Sequence, residues 1–339
     1  MLKIKCSAAI VGIGSVSNIG VTQGGKSNLE LTALEGEEVV LSPVPFSLDT
    51  FVPKKKDQRS MSHSQAMAVY AAGLAIESAG ILDDAQARHE LRLLLSCSIG
   101  ERDERVDTNI LANQNEPDFS LHAELSKMRP TTILQRLPSL FLASVSMTYE
   151  TFGETVSYVG ETAAANASLK YGISCAEQGA GERVLVGGVF NGQQPIYHEM
   201  VEHNKQFSCY KELVLGSAAG FTVLQSDKQA RADGQHIASI NYWGEHEAIE
   251  LELALSERSQ YIAIMHELDS SSSLEQELLN QELQVLNVNQ YIGNAFEGST
   301  HTQINIALGY FSNELEQGAE VFLLSQNMSG FFDVFSLKR

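Results

Sequence analysis

The chain opens on an apolar run, AAIVGIGSVSNIG over residues 8–20, relieved only by glycine, serine and one asparagine. Such a run predicts a buried strand that passes into a Gly-rich turn. Residues 24–56, with Pro43, Pro45 and Pro53, have no period and read as an irregular surface excursion. Residues 60–80 then place Met67, Tyr70, Ala71, Leu74 and Ala75 at helical spacing. Serines stand ready to cap the start of this helix, and Gly80 suits a left-handed stop. LRLLLSC (residues 91–97) has the length of a strand covered on both faces, the polar stretch 100–125 reads as loop, and residues 133–151 are again apolar. A second helix is predicted over 163–178, with Ala165, Leu169, Ile173 and Ala176 on one face. RVLVGG (183–188) follows as a buried strand and LVLGSAAGFTVLQ (213–225) as a Gly-bent strand pair.

Beyond residue 225 the pattern is weaker. YIAIM (261–265) predicts a strand, 269–273 a turn, 274–283 a Glu-rich helix, and 322–339 a hairpin turning at Gly330. Strand and helix patterns alternate throughout, which implies an α/β fold with helices covering sheets. The expected organisation is two intimately packed halves, residues 1–225 and a shortened 226–339.

A chain of 339 residues with 43% hydrophobic positions can build a stable core without disulfide or metal staples. Lys and Arg number 23 against 42 Asp and Glu, a formal charge of −19. The densest basic block is Lys54, Lys55, Lys56 and Arg59, too little to track a phosphate backbone, so nucleic acid is set aside as a partner. Cys6, Cys97, Cys175 and Cys209 lie far apart, with no CxxC pair, which leaves neither a zinc spacing nor a disulfide framework and fits a reduced cytoplasmic protein. Lys3 and Lys5 before the apolar opening could suggest a signal peptide. Gly12 and Gly14 interrupt that run, and no stretch reaches the ~18 apolar residues of a membrane span, so a first β-strand is expected there. The same glycines invite a dinucleotide-binding motif, but GxGxxG fails at Ser17. No metal and no cofactor are expected.

Five segments, in order and spacing, resemble the β-ketoacyl-carrier-protein synthase branch of the thiolase-like condensing enzymes. IVGIGSVSNIG resembles the family's opening strand and turn, and SQAMAVYAAGLAIESAGI its first long helix. ASVSMTYETFG resembles the segment before the nucleophile, GAGERVLVGG the strand after it, and LGSAAGFTVLQSDKQARADGQHIASI the crossover between halves. The resemblance covers most of residues 8–240. It implies a thiolase-like fold, two similar α/β halves in a layered αβαβα arrangement.

The family's chemistry uses a cysteine at the start of the buried helix before the GG strand, where the helix dipole and unpaired N–H groups favour a thiolate and can hold an oxyanion. Counting back from Gly187 and Gly188 puts that place on Thr162, in YVGETAAANAS, and no cysteine lies between Cys97 and Cys175. A threonine hydroxyl needs an adjacent base to act as a nucleophile; the plainer reading of Thr162 is a helix N-cap. Cys175, deep in the same helix, reads as core, and Cys209 as structural. By the resemblance, His266, with Glu277 beyond it, and His301 fall where the two family histidines would be, and the family lysine's place falls on Phe296. The plainer reading of each histidine is a satisfied or partly exposed side chain. LLSQNMSGFFDVFSLKR keeps only Gly330 of the family's Gly/Phe-rich gating loop.

A kept fold with dispersed catalytic residues resembles the chain-length-factor subunits of type II polyketide systems. These imply a partner ketosynthase in a heterodimer, an acyl-chain pocket shaped by the inactive subunit, and an acyl carrier protein. Lys54, Lys55, Lys56 and Arg59 are the candidate carrier contact, or else a solvated loop. By the same resemblance the strand at 183–188 is expected at the subunit interface. Two alternatives stand beside this: an acyltransferase or hydrolase using Thr162 or a nearby serine such as Ser168 with His301 or His266 as base, and an acyl-chain-binding or scaffolding homodimer.

Overall fold

In the computed structural model the apolar opening is a twelve-residue strand, β1 (Cys6–Ser17), buried from Ala8 onward. The structure describes residues 3–339 except 25, 28, 32–39, 103, 129–134, 180–181, 204–213, 257–260, 267–273, 281–283 and 317. It also leaves out the side chains of 26–27, 104, 202, 252–253, 256 and 261–266. Cys209 and the expected turn at 269–273 lie outside the described residues.

Helix α1 (His63–Ser78) begins at Ser62 with a reciprocal capping box to Gln65 and ends before Gly80 at φ +67°. It lies directly on β1: a Cβ at Gly12 would come within 2.4 Å of the Ala75 carbonyl oxygen, and one at Gly14 within 2.4 Å of that of Ala71. The glycines that mimic a dinucleotide motif therefore serve helix-to-strand packing.

The first half continues with β2 (Arg92–Cys97), α2 (Pro138–Tyr149), β3 (Thr155–Tyr158), α3 (Glu161–Gln178), β4 (Val184–Phe190) and β5 (Ala218–Gln225). Its strands pair in the order β1-β5-β4-β2-β3, with β3, β2 and β4 parallel and β4, β5 and β1 antiparallel. The second half repeats this plan. Its elements are β6 (Ala238–His246), α4 (Ala248–Ser256), β7 (Tyr261–His266), α5 (Leu274–Asn280), β8 (Gln284–Asn287), α6 (Ser299–Tyr310), β9 (Glu320–Gln326) and β10 (Phe332–Lys338). They pair as β6-β10-β9-β7-β8 with the same directions, and β1 joins β6 antiparallel.

Three apolar cores separate five layers. Met67, Ala71, Ile76, Phe141 and Val145 of α1 and α2 pack on Leu93, Leu95, Leu185 and Phe221 of the first sheet. Leu169 and Ile173 of α3 and Ile304 and Leu308 of α6 fill the space between the sheets, against Ile10, Val186, Ile240, Val321 and Phe335. Leu251, Leu255, Leu274 and Leu278 of α4 and α5 cover Phe322, Leu324, Phe332 and Val334. This is the layered αβαβα arrangement with α3 and α6 at its centre.

Two expectations are corrected. Residues 100–125 are not loop, because Glu104–Asn113 and Leu121–Leu125 are helical; their exposed faces hid the few apolar positions, such as buried Val106, that anchor them. The strand at 183–188 is not a sheet edge. As β4 it is hydrogen-bonded on both sides, to β2 and β5, and every residue is buried, so it cannot extend the sheet to another subunit. The edge of the first half is β3, whose residues are exposed or half-buried.

Candidate functional site

The chain turns from β3 into α3 through Gly160, at φ +135°, where only glycine is unstrained, and Glu161, at φ +55°. Gly160 is the N-cap and has no side chain to offer, so the first-turn N–H groups of α3 need an acceptor from elsewhere. Glu297 supplies it. Its carboxyl accepts the Glu161 N–H at 3.0 Å, and the backbone amides of Gly160 and of its own residue also favour its charged form.

Glu297 sits in a 3-10 turn (Phe296–Gly298) that leads straight into α6, so the starts of the two central helices meet at this carboxyl. Ser96 at the end of β2 donates to the Glu297 backbone carbonyl at 2.9 Å. Gly188 gives the turn its seat, since a Cβ there would lie 2.0 Å from that carbonyl oxygen. Burial raises the Glu297 pKa from its ordinary 4.5 to about 7, against the lowering effect of the three amides, and Glu161 is raised too, by burial.

His301, in the first turn of α6, is fully buried, and burial lowers its pKa to about 3, so the imidazole is neutral. Its Nε2 lies 3.0 Å from Ser168 Oγ, and the Ser168 hydroxyl lies 2.8 Å from the Ala165 carbonyl, which it can only donate to. The imidazole proton therefore sits on Nε2, directed at Ser168, and Nδ1 has no protein hydrogen-bond partner among the described residues. Further along, the Thr300 hydroxyl donates to Asn166 Oδ1 at 2.6 Å and lies 2.9 Å from Ser325 Oγ, while Tyr242 donates to buried Asp333 at 2.8 Å. Phe296, at φ +32°, packs edge-on against Phe190 at 5.1 Å between ring centres, and Phe190 meets Tyr197 at 4.7 Å.

Thr162 is the second residue of α3 rather than its N-cap, because the N-cap is Gly160, two residues earlier. It is fully buried and its hydroxyl has no protein hydrogen-bond partner among the described residues. His301 is engaged with Ser168, six residues further down α3. The His266 backbone closes β7, and its side chain lies outside the described residues. Glu277 lies on α5, in an outer layer of the second half. Cys175 is half-buried at the rim of the central core beside Arg92 and Tyr171, not within it. Lys54, Lys55, Lys56 and Arg59 are all exposed around the one-turn helix Lys55–Gln58, where Lys55 pairs with Asp49. No group of three His, Cys, Asp or Glu able to hold a metal occurs among the described residues. No described helix is long and apolar enough to cross a membrane.

Sequence reasoning missed Glu297 altogether, along with Ser96, Asn166 and Thr300. A signal for them exists: Gly160-Glu161-Thr162 and Gly298-Ser299-Thr300 are the same Gly-x-Thr pattern at the heads of the two equivalent helices. Aligning these two segments would have brought Glu297 and Glu161 into one neighbourhood.

A doubled five-layer α/β frame with a helix head buried between its halves defines a thiolase-like ketosynthase fold. Solved structures agree. A chain of the complex described as "AntDE:AntF (apo): type II PKS acyl-carrier protein in complex with its ketosynthase bound to the hexaketide" superposes with a TM-score of 0.74 at 13% identity, over 98% of this chain and 99% of that one. A β-ketoacyl synthase from Burkholderia phymatum STM815 gives 0.70 at 15%, and "The ishigamide ketosynthase/chain length factor" 0.67 at 13%, each over 98% of this chain and 99% of the other. At these identities the likeness is one of fold. Comparison with curated protein sequences returns no match. Residues 32–212, over half of the chain, match the family described as Beta-ketoacyl synthase, N-terminal domain, and the chain belongs to that family.

Proposed function

We propose that this chain is a non-catalytic, chain-length-factor-type subunit. It pairs with an active β-ketoacyl synthase in type II polyketide, polyene or fatty-acid assembly and shapes the pocket for the growing acyl chain. The observation that carries this reading is Thr162. The position counted as the nucleophile's holds a buried hydroxyl with no protein hydrogen-bond partner among the described residues, so no base is bonded to it, and a hydroxyl without a bonded base is a poor nucleophile toward a thioester at neutral pH. Phe296 at the lysine's counted place, packed among aromatic rings, supports the same reading. So does the kind of assembly named for two similar structures, a ketosynthase with its acyl carrier protein and a ketosynthase/chain length factor. In this reading the protein is cytoplasmic and its N-terminal half, residues 1–225, divides from the shortened second half, 226–339. The exposed cluster of Lys54, Lys55, Lys56 and Arg59 is offered as a carrier-protein contact.

The 3.0 Å contact of Ser168 with His301 favours a second reading, an acyltransferase or hydrolase with Ser168 as nucleophile. Three features weigh against it. The serine is fully buried mid-helix, its proton is directed at a backbone carbonyl, and no described group orients the far side of the imidazole.

The test is co-expression with an active type II β-ketoacyl synthase, followed by size-exclusion chromatography. A heterodimer is expected, with product formation unchanged, within about twofold, by Thr162→Ala. Separate elution of the two proteins, with self-association only, would leave the scaffolding homodimer. Acylation of the purified chain by an acyl thioester would replace the whole reading with an enzyme.

A further inference from the structure

We propose that β8, the far edge of the second half, is a docking strand for a basic, extended segment of another protein. β8 (Gln284–Asn287) ends the continuous sheet: it pairs in parallel with β7 on one side and with no strand among the described residues on the other. Half of its N–H and C=O groups therefore point out of the sheet. Native edge strands are usually blunted by lysine, proline, a bulge or a covering element. The sequence QVLN has neither lysine nor proline, and its register with β7 is unbroken. Both faces of the strand are fixed by packing, since Val285 lies against the outer core of Leu274 and Leu278 while Leu286 belongs to the central one. Leu279, 44% accessible near the end of α5, adds apolar surface on the helix that leads into this edge.

Charge selects the occupant. Residues 226–339 hold 17 Asp and Glu against 5 Lys and Arg, a formal −12 of the chain's −19, and Arg258 is the one basic residue between Arg231 and Lys338. Glu275 and Glu277 stand on α5, and the Glu275 carboxyl accepts from Asn287 Nδ2, at the end of β8 itself, at 2.8 Å. A second copy would bring like charges together at this edge. The chain's own basic block, Lys54, Lys55, Lys56 and Arg59, lies around a one-turn helix rather than in an extended stretch. A lysine- or arginine-rich strand meets both demands, open backbone groups and negative surroundings. The inference goes beyond the proposed function and uses the opposite end of the sheet from β3.

The probe is a fluorescently labelled peptide, KVKVKVKV, titrated with the full chain and read by anisotropy. Its control, KPKVKPKV, carries the same charge but cannot form a strand ladder. At about 50 mM salt the first peptide should bind at least about tenfold more tightly than the second, and its affinity should fall about tenfold by about 0.5 M salt. Hydrogen exchange read by mass spectrometry should slow about tenfold over residues 284–287 when KVKVKVKV is bound, and stay unchanged over the other edge, 155–158. No binding of KVKVKVKV, or equal binding of the two peptides, which would reduce the site to charge alone, would overturn the proposal. So would protection at 155–158 in place of 284–287, or self-association that protects 284–287 with no peptide present, which would give the edge to a second copy.

Discussion

At the residue scale the pH response of the fold is governed by two buried groups that pull in opposite directions. Glu297 titrates at about 7 in the folded protein and at its ordinary 4.5 when unfolded. Between those values the folded chain holds a proton that the unfolded chain has lost. Its contribution is therefore complete below pH 4.5 and lost as pH rises through 7, about 3 kcal/mol in all. Glu161, raised by burial, acts in the same sense, while the neighbouring Cys97 and Tyr197 are pushed up by burial and titrate well above this window. His301 has its pKa lowered to about 3, so its contribution is full above its ordinary 6.5 and lost as pH falls through 3. The slopes oppose each other between pH 4.5 and 6.5, so only a difference experiment separates them. Glu297→Gln should lose about as much of the alkaline decline as Glu297 supplies, gaining about 3 kcal/mol on wild type between pH 4.5 and 8 in urea unfolding. A parallel pair of curves would show that Glu297 does not titrate there. None of this was legible in the sequence, because a lone glutamate between Phe296 and Gly298 reads as surface until the fold places it under a helix.

At the scale of elements, long periodic segments were the legible ones. The helix expected at 60–80 forms as α1 with its serine cap and Gly80 stop, and the strand at 91–97 and the terminal hairpin stand within two residues of expectation. Elements that carry polar residues on buried faces were not legible. Helix α6, STHTQINIALGY, buries Ser299 through Leu308 on every side, so its serine, threonines, histidine, glutamine and asparagine conceal any apolar stripe. They are tolerated because they bond to the backbone, as Thr302 does to the Gly298 carbonyl, or to buried side chains of neighbouring elements, as Thr300 does to Asn166. The GG pair at 187–188 was read only as the end of a strand, whereas the structure makes it a contact surface. Gly187 lies against the Phe221 ring, and Gly188 against Ser96, His301 and the Glu297 backbone. Gly188→Ala should consequently cost about 1–3 kcal/mol, measured by urea unfolding, since its nearest obstacle is backbone and cannot swing aside. A neutral result would mean that the turn carrying Glu297 moves easily.

For the whole molecule, the proposed pairing calls for a free sheet edge, and elimination within the first half leaves one. Strand β4 is interior, so the edge is β3. The Leu93 N–H bonds the Glu154 carbonyl at 2.9 Å, and Leu93 stands opposite Thr155. In a parallel ladder, residues 154, 156 and 158 then face β2, while Thr155 and Ser157 turn their N–H and C=O groups outward. Exposed apolar side chains flank this edge: Met147 and Phe152, each 73% accessible, and Val159 and Tyr171. A bare sheet edge beside an apolar surface is an association site unless something covers it. Under the proposed pairing, Ser157→Pro removes an outward N–H without touching the internal ladder, and edge strands accept proline. The variant should keep its circular-dichroism spectrum yet elute as a monomer, with loss of the ketosynthase partner, whereas Thr162→Ala should keep it. Retention of the partner by Ser157→Pro would move the interface to another face, and loss of the spectrum would show instead that β3 is needed to hold the head of α3 in place.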